Sequence, residues 1–435
     1  MTDTLHVMPT QAQLQATYGD AHPPLTSDQA LVEADRCYFC HDAPCTEACP
    51  TGIDIPGFIR AIATGNLKGA ATTILEENIF GGTCARVCPT EILCERACVR
   101  TAQEHRPVDI GALQRHATDW LMQRDLQPFS RAPATGKRIA VVGAGPAGLS
   151  CAHALARNGH DVTVFEARPK PGGLNEYGIA AYKMADDVAQ REVAFIAALG
   201  GIAIRHGIAL GRDITLAALR AAVDAVFLAV GLGATNALDI EDETLPGVRD
   251  AIDFIAELRQ SPNGIAVPRR VVVIGGGNTA IDAATQSSRL GADQVTIIYR
   301  RGPEHMSATQ VEQDWAKTNG VTIRHRSTPV RIIAQGGRAV ALEIAHPSGA
   351  EVLPADLILK AIGQRFDPAP LAGSGIAMTG GRIAIDAATG ATSLAGVFAG
   401  GDCVPGPDLT VHAVQDGKRA AAAIHALLTE GAKNG

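Results

Sequence analysis

The stretch KRIAVVGAGPAGLSCAHALARNGHDVTVFEA, residues 137–167, decides the fold. An apolar run, IAVV, ends in a glycine-rich turn. The turn opens into a helical segment, and a second apolar run, VTVF, ends in Glu166. This order is a βαβ unit. Gly143, Gly145 and Gly148 stand in GxGxxG spacing within it. The first glycine allows the tight turn, the second lets the backbone approach a pyrophosphate, and the third lets helix and strand pack closely. Pro146 and Ala147 complete the loop. The phosphates would sit at the helix N-terminus, where free N–H groups and the dipole favour negative charge. Glu166 is placed to accept hydrogen bonds from ribose hydroxyls. Gly173, in the PGG turn that follows, is a further candidate of the same site.

A second unit of this kind follows in RRVVVIGGGNTAIDAATQSSRLGADQVTIIYRR, residues 269–301. Gly275 and Gly277 occupy the first two glycine positions and Ala280 the third. Asn278 and Thr279 open the helix. No acid ends the next strand; Arg300 and Arg301 stand there instead. Two arginines can clamp a 2′-phosphate, which physically favours NADPH over NADH. The alternative is that one arginine merely stacks on adenine.

Further on, TSLAGVFAGGDCV, residues 392–404, puts Asp402 after a strand and a glycine pair. It resembles the second flavin motif of flavoproteins with two dinucleotide domains. In that motif the Asp holds the ribityl chain, and a helix from about Thr410 points its N-terminus at the flavin ring. The first glycine unit then reads as the FAD site and the second as the nicotinamide site. The nicotinamide unit lies between the two halves of the flavin unit, as when one domain is inserted into another. Hydride would pass directly from nicotinamide to flavin. No side chain is read as catalytic, because the cofactors carry the chemistry. Cys151, inside the first helix, and Cys403, beside Asp402, read as apolar core.

Upstream the pattern changes. Eight of the ten cysteines lie between Cys37 and Cys98. Disulfide frameworks suit small secreted domains, not a chain of 435 residues whose first residues do not read as a signal peptide. The groups are Cys37, Cys40, Cys45 and Cys49-Pro50, then Cys84, Cys88-Pro89, Cys94 and Cys98. Thiolates at this density suit zinc or iron–sulfur. The Cys-Pro pairs favour [4Fe–4S] clusters, and zinc would give no electron path beside a flavin. Helical pieces separate the cysteines, with Gly65 a break between two of them and Asp109 a cap.

The fold class is therefore α/β. An N-terminal α-helical iron–sulfur domain (1–130) is followed by two Rossmann-like dinucleotide-binding domains. The FAD domain is formed by two separate segments, 137–254 and 363–435. The NAD(P)H domain, 255–362, is inserted between them. Residues 1–36 read as a polar lead-in with one short helix. The net charge of −7 carries no long basic run, and aromatic residues make up 4 %. Both facts argue against nucleic acid as a partner. No apolar run is long enough to span a membrane, so a cytoplasmic location is expected.

CYFCHDAPCTEACPTGIDIPGFI (37–59), GGTCARVCPTEILCERAC (81–98) and DIGALQRHATDW (109–120) together resemble the N-terminal region of dihydropyrimidine dehydrogenase. The resemblance extends through the flavin and nicotinamide regions to nearly the whole chain. It implies the separate bacterial subunit that oxidises NADH or NADPH at FAD. That subunit would feed two [4Fe–4S] clusters and form a hetero-oligomer with a catalytic FMN/iron–sulfur subunit that reduces uracil or thymine. It also implies crossed ligation. Cys37, Cys40, Cys45 and Cys98 would hold one cluster, and Cys49, Cys88, Cys94 and Gln114 the other, with Cys84 a bystander. From spacing alone, Cys84 is the simpler fourth ligand. Bacterial members suggest NADH, whereas the two arginines pull towards NADPH. The small subunit of glutamate synthase shares the dinucleotide motifs and is the nearest alternative. A redox sensor or scaffold with structural clusters is the alternative of another class.

Overall fold

The computed structural model describes residues 6–7, 9–261 and 265–430. The chain divides into two compact units. One comprises the N-terminal residues up to His22, Glu176–Asp186 and Ala234–Arg365. The other comprises Pro23–Asn175, Asp187–Gly233 and the chain from Phe366 onward.

The larger unit contains a five-stranded parallel sheet. Its order is Val397–Ala399, Ala225–Leu228, Arg138–Val142, Asp161–Glu166, Ile202–His206. The strand bearing the first glycine loop is central and buried on both faces, which is why its sequence reads as a continuous apolar run. Helix Pro146–Arg157 and the C-terminal helix Thr410–Glu430 pack on each other beside this sheet. Gly417 is the close-approach point, since a Cβ there would stand 2.3 Å from the Ala147 carbonyl oxygen.

The cysteine-rich region belongs to the same unit. Several of its helices start at capping side chains, Asp109 among them as the sequence suggests. Asp54 Oδ1 accepts from Gly57 N at 3.0 Å, Asn66 Oδ1 from Gly69 N at 2.9 Å, and Asp109 Oδ1 from Ala112 N at 3.0 Å. Gly65, at φ +76°, separates helices Ile55–Ala63 and Leu67–Glu77. Phe58, Ile59, Ile62, Ile74, Leu113 and Leu121 form the core of this region. It is joined to the flavin region by Lys418 Nζ, which donates to the Glu77 carbonyl at 2.7 Å, and by Gln127 Nε2, which donates to the Phe195 carbonyl at 3.0 Å.

The smaller unit holds its own five-stranded parallel sheet. The order is Thr322–His325, Gln294–Tyr299, Arg270–Ile274, Leu357–Lys360, Val248–Asp250. A three-stranded antiparallel sheet spans Thr328–Gln335, Arg338–His346 and Gly349–Pro354.

These limits differ from those expected. The expected division at 254/255 falls inside helix Ala251–Gln260, and strand Val248–Asp250 pairs within the nicotinamide sheet. Residues 23–36 of the lead-in belong with the iron–sulfur region, where Ala30 and Ala34 are core, but its first helix does not. Helix Gln11–Tyr18 lies in the smaller unit, where Leu14 and Tyr18 pack on the nicotinamide core and Tyr18 Oη donates to the Leu258 carbonyl at 3.2 Å. Residues 1–5 and 431–435 lie outside the described residues. Among the described residues, no helix is long and apolar enough to cross a membrane.

Candidate functional site

In the larger unit the glycine loop is built by steric exclusion. Gly143 has φ +102°, and a Cβ there would stand 2.2 Å from the Ala229 carbonyl oxygen. A Cβ on Gly148 would stand 1.9 Å from the Gly143 carbonyl oxygen. Gly145 is different: a Cβ there meets only Gly173 Cα, at 3.8 Å. The space over Gly145 is therefore open, and Gly145 is the cap residue of a 12-residue helix with no side-chain cap. An anion can approach the backbone there. Gly173, at φ +57°, crosses over Gly145 so closely that its own Cβ would stand 2.7 Å from Gly145 Cα.

Glu166 lies at the end of its strand and is buried. Its Oε2 accepts from Ala144 N and its Oε1 from Arg168 N, each at 2.8 Å. The carboxylate thus braces the glycine loop. Asp402 follows Gly400 and Gly401, and burial pushes its carboxyl up to about 6. Thr410 starts the C-terminal helix and its Oγ1 donates to Asn175 Oδ1 at 3.0 Å, which ties that helix to the segment following Gly173. The open backbone at Gly145, the braced acid and the partly buried Asp402 fit FAD. Cys151 and Cys403 are fully buried, and burial pushes both thiols up, that of Cys403 to about 12. They are core.

The second loop, in the smaller unit, repeats the construction. A Cβ on Gly275 would stand 2.2 Å from the Ala361 carbonyl oxygen, the counterpart of Gly143 and Ala229. Gly277 caps helix Asn278–Arg289, and its nearest neighbour would be Ser307 Oγ at 3.4 Å. Ala280 is fully buried, as the third position requires. Asn278 and Thr279 open the helix. Arg300 and Arg301 follow strand Gln294–Tyr299 and are exposed. The Arg301 guanidinium lies 5.5 Å from the Tyr299 ring centre. This cradle fits a nicotinamide dinucleotide.

Sequence reasoning missed the support beneath this loop. Lys183, from the Glu176–Asp186 segment, ion-pairs with Asp282 and Glu312, each at 2.7 Å. Burial alone would push its ammonium down, but Asp282, Tyr182 and Glu312 outweigh it and hold it charged. Asp282 lies in the second turn of the helix behind Gly277. Its spacing in the sequence carries no sign of a partner about 100 residues away.

The eight thiols of the helical region fall into two groups. Burial, then Cys40 and Cys98, push the Cys37 thiol up. Burial, then Cys98 and Cys37, push that of Cys45 up to about 11. Cys37, Cys40, Cys45 and Cys98 are thus neighbours. Cys49, Cys84, Cys88 and Cys94 line a single cavity together with Gln114, Asn78 and Val411. Cys88 is pushed well up, first by its hydrogen bond with Cys84, then by burial and by Cys94 and Cys49. Gln114 is 7 % exposed, and its Nε2 donates to the Gly81 carbonyl at 2.7 Å. Both contenders for the fourth position, Cys84 and Gln114, therefore reach the cavity. All ten cysteines are free thiols. Among the described residues no three Cys, His, Asp or Glu side chains gather as for one mononuclear ion. Cys49, Cys84, Cys88 and Cys94 line a cavity instead, a donor set that fits a cluster.

Glu192 is a second brace that the sequence does not advertise. It is fully buried and accepts from Thr83 N at 2.9 Å and from the Thr83 hydroxyl. It fixes helix Gly81–Val87, which carries Cys84, to helix Val188–Ala197 of the flavin region.

Comparison with known proteins gives two family matches. Residues 137–417 match the family model described as pyridine nucleotide-disulphide oxidoreductase. Residues 14–126 match that of dihydropyrimidine dehydrogenase domain II, 4Fe-4S cluster. The chain is 38% identical to the NAD-dependent dihydropyrimidine dehydrogenase subunit PreT of Salmonella typhimurium, over 94% of this chain and 96% of that protein. It is 34% identical to the glutamate synthase [NADPH] small chain of Escherichia coli, over 92% of each. Among solved structures, thioredoxin reductase of T. acidophilum superposes with a TM-score of 0.54 at 22% identity, over 67% of this chain and 98% of that one. At that identity the likeness concerns the fold alone.

Proposed function

The chain belongs to the pyridine nucleotide-disulphide oxidoreductase family, in the group that joins this fold to the 4Fe-4S module of dihydropyrimidine dehydrogenase, and we propose that it is the electron-input subunit of such an enzyme. It takes hydride from NADH and passes single electrons to a partner subunit, which reduces uracil or thymine to the 5,6-dihydro form. FAD supplies the conversion, because it accepts two electrons together and releases them one at a time.

One observation carries this reading. Val411 lines the cavity of Cys49, Cys88 and Cys94, while its neighbour Thr410 is bonded to Asn175, beside the flavin loop at Gly173. The flavin cradle and the second thiol group thus share the first turn of one helix. FAD held in that cradle would supply electrons close to the cysteine-rich region.

The chain's own residues have the following work. Gly145 and the helix behind it bind the pyrophosphate of FAD, Glu166 its ribose and Asp402 its ribityl chain. Gly277, Asn278 and Thr279 bind the dinucleotide phosphates of NADH. Cys49, Cys88, Cys94 and Gln114 hold the cluster nearer the flavin, and Cys37, Cys40, Cys45 and Cys98 the other. Cys94 has both Cys49 and Cys45 as neighbours, which supports a continuous path between the two groups. NADH is favoured because the related subunit of Salmonella typhimurium is named as NAD-dependent.

The test is to purify the chain with the product of its neighbouring gene and measure uracil-dependent oxidation of NADH. Uracil-dependent turnover supports the assignment. Absence of it, with glutamate formation in the presence of a glutamine-dependent large subunit, overturns the substrate and favours the glutamate synthase relationship.

A further inference from the structure

Asn78 follows helix Leu67–Glu77 and is fully buried. Its Oδ1 accepts from Phe80 N at 3.0 Å. That bond fixes which end of the amide is oxygen. The other end, Nδ2, is buried and has no hydrogen-bond partner. Buried donors are nearly always paired, so an orphaned one points to an acceptor that is not protein. Asn78 lines the cavity ringed by Cys49, Cys84, Cys88 and Cys94. Of its neighbours there, Gln114 Nε2 is engaged with the Gly81 carbonyl, and Cys84 with Cys88.

We propose that Asn78 Nδ2 donates a hydrogen bond to a sulfur of the cluster held at this cavity, and so raises that cluster's reduction potential. The proposal rests on the reading that Cys49, Cys88 and Cys94 are ligands. Asn78 itself is no ligand, because its oxygen is held by Phe80 and an amide NH₂ has no lone pair to give. An N–H dipole aimed at sulfur stabilises the reduced, more negative state more than the oxidised one, and hydrogen bonds to sulfur are one of the determinants of cluster potential. The effect adds to that of a neutral glutamine in place of a thiolate. Both make the cluster nearer the flavin the easier one to reduce.

The experiment is an EPR-monitored redox titration of the full, cluster-loaded chain, with iron content measured in parallel. Cys88→Ser and Cys37→Ser assign the two cluster signals. Asn78→Leu removes the donor, and Asn78→Asp removes it while keeping the acceptor for Phe80 N. The expected result is unchanged iron content and a lower midpoint for the Cys88-sensitive signal alone, in both Asn78 variants. No shift, or a shift of the Cys37-sensitive signal, overturns the proposal. So does loss of the cluster in Asn78→Asp, which would make Asn78 a structural requirement. If Cys88→Ser leaves both signals intact, the ligand reading itself fails, and the proposal with it.

Discussion

Gln114 Nε2 donates to the carbonyl of Gly81 at 2.7 Å, and this one bond orients the whole amide. With the nitrogen engaged, the oxygen lies at the other end of a side chain that lines the cavity of Cys49, Cys88 and Cys94. Gly81 also opens the helix that carries Cys84, which leads into Cys88. The glutamine is thus pinned by the element that presents its rival.

Gln114→Ala is expected to perturb or remove one cluster's EPR signal, whereas Cys84→Ala retains both signals and about eight iron atoms per chain. Gln114→Cys should lower the midpoint of the same cluster, because it restores a negative thiolate. Loss of a cluster in Cys84→Ala alone would show that the thiol is the ligand.

The glycines of the first loop should separate into two classes. Gly148→Ala forces a Cβ to 1.9 Å from the Gly143 carbonyl oxygen. It should destabilise the larger unit by about 3 kcal/mol or more, seen as a lower urea midpoint. Gly145→Ala has 3.8 Å of room. It should leave the urea midpoint of the flavin-free chain within about 0.5 kcal/mol of the parent while weakening FAD binding at least ~10-fold, because the methyl occupies the approach of the pyrophosphate.

Asp402 sets a pH dependence. Burial raises its folded-state value from 3.8 to about 6. A carboxyl raised on folding favours the folded state fully below about pH 4, and this contribution is lost as pH rises through about 6. For the flavin-free chain the loss from this group should be roughly 2–3 kcal/mol between pH 4 and 7. Asp402→Asn should therefore be more stable than the parent at pH 7.5 and nearly equal to it at pH 4, while retaining FAD less tightly. Equal pH profiles of the urea midpoint would contradict this.

Arg300 and Arg301 stand exposed at the end of the strand where an acid would bind an unphosphorylated ribose. Replacing both by Ala should cut kcat/KM for NADPH roughly 10–100-fold and that for NADH less than about 3-fold. Equal losses for both donors would mean that the arginines stack on adenine and do not read the 2′-phosphate.

Much of this architecture was legible because the chemistry constrains backbone and not just composition. A pyrophosphate bound at these loops would need glycine at Gly145 and Gly277, and the packing beside them needs glycine or alanine at Gly148 and Ala280. Such demands leave a spaced pattern in one short stretch. The thiol groups were legible for the same reason. What escaped depends on partners distant in sequence. Leu14 and Tyr18 look like members of a polar lead-in until the nicotinamide core is there to receive them. Lys183 looks like a surface lysine until Asp282 and Glu312 surround it. Gln114 is singled out by family likeness alone, since its spacing to the cysteines favours Cys84. Asn78 carried no motif at all, and only its unpaired nitrogen marks it.

The most direct test of a chain that accepts hydride and delivers single electrons is Cys94→Ser, assayed with the partner subunit. NADH-dependent reduction of a two-electron dye at FAD should stay within about twofold of the parent, and uracil-dependent NADH oxidation should fall at least ~100-fold. Retention of uracil reduction after the cluster is lost would contradict the proposed path, because electrons would then reach the partner without passing through the cysteine-rich region.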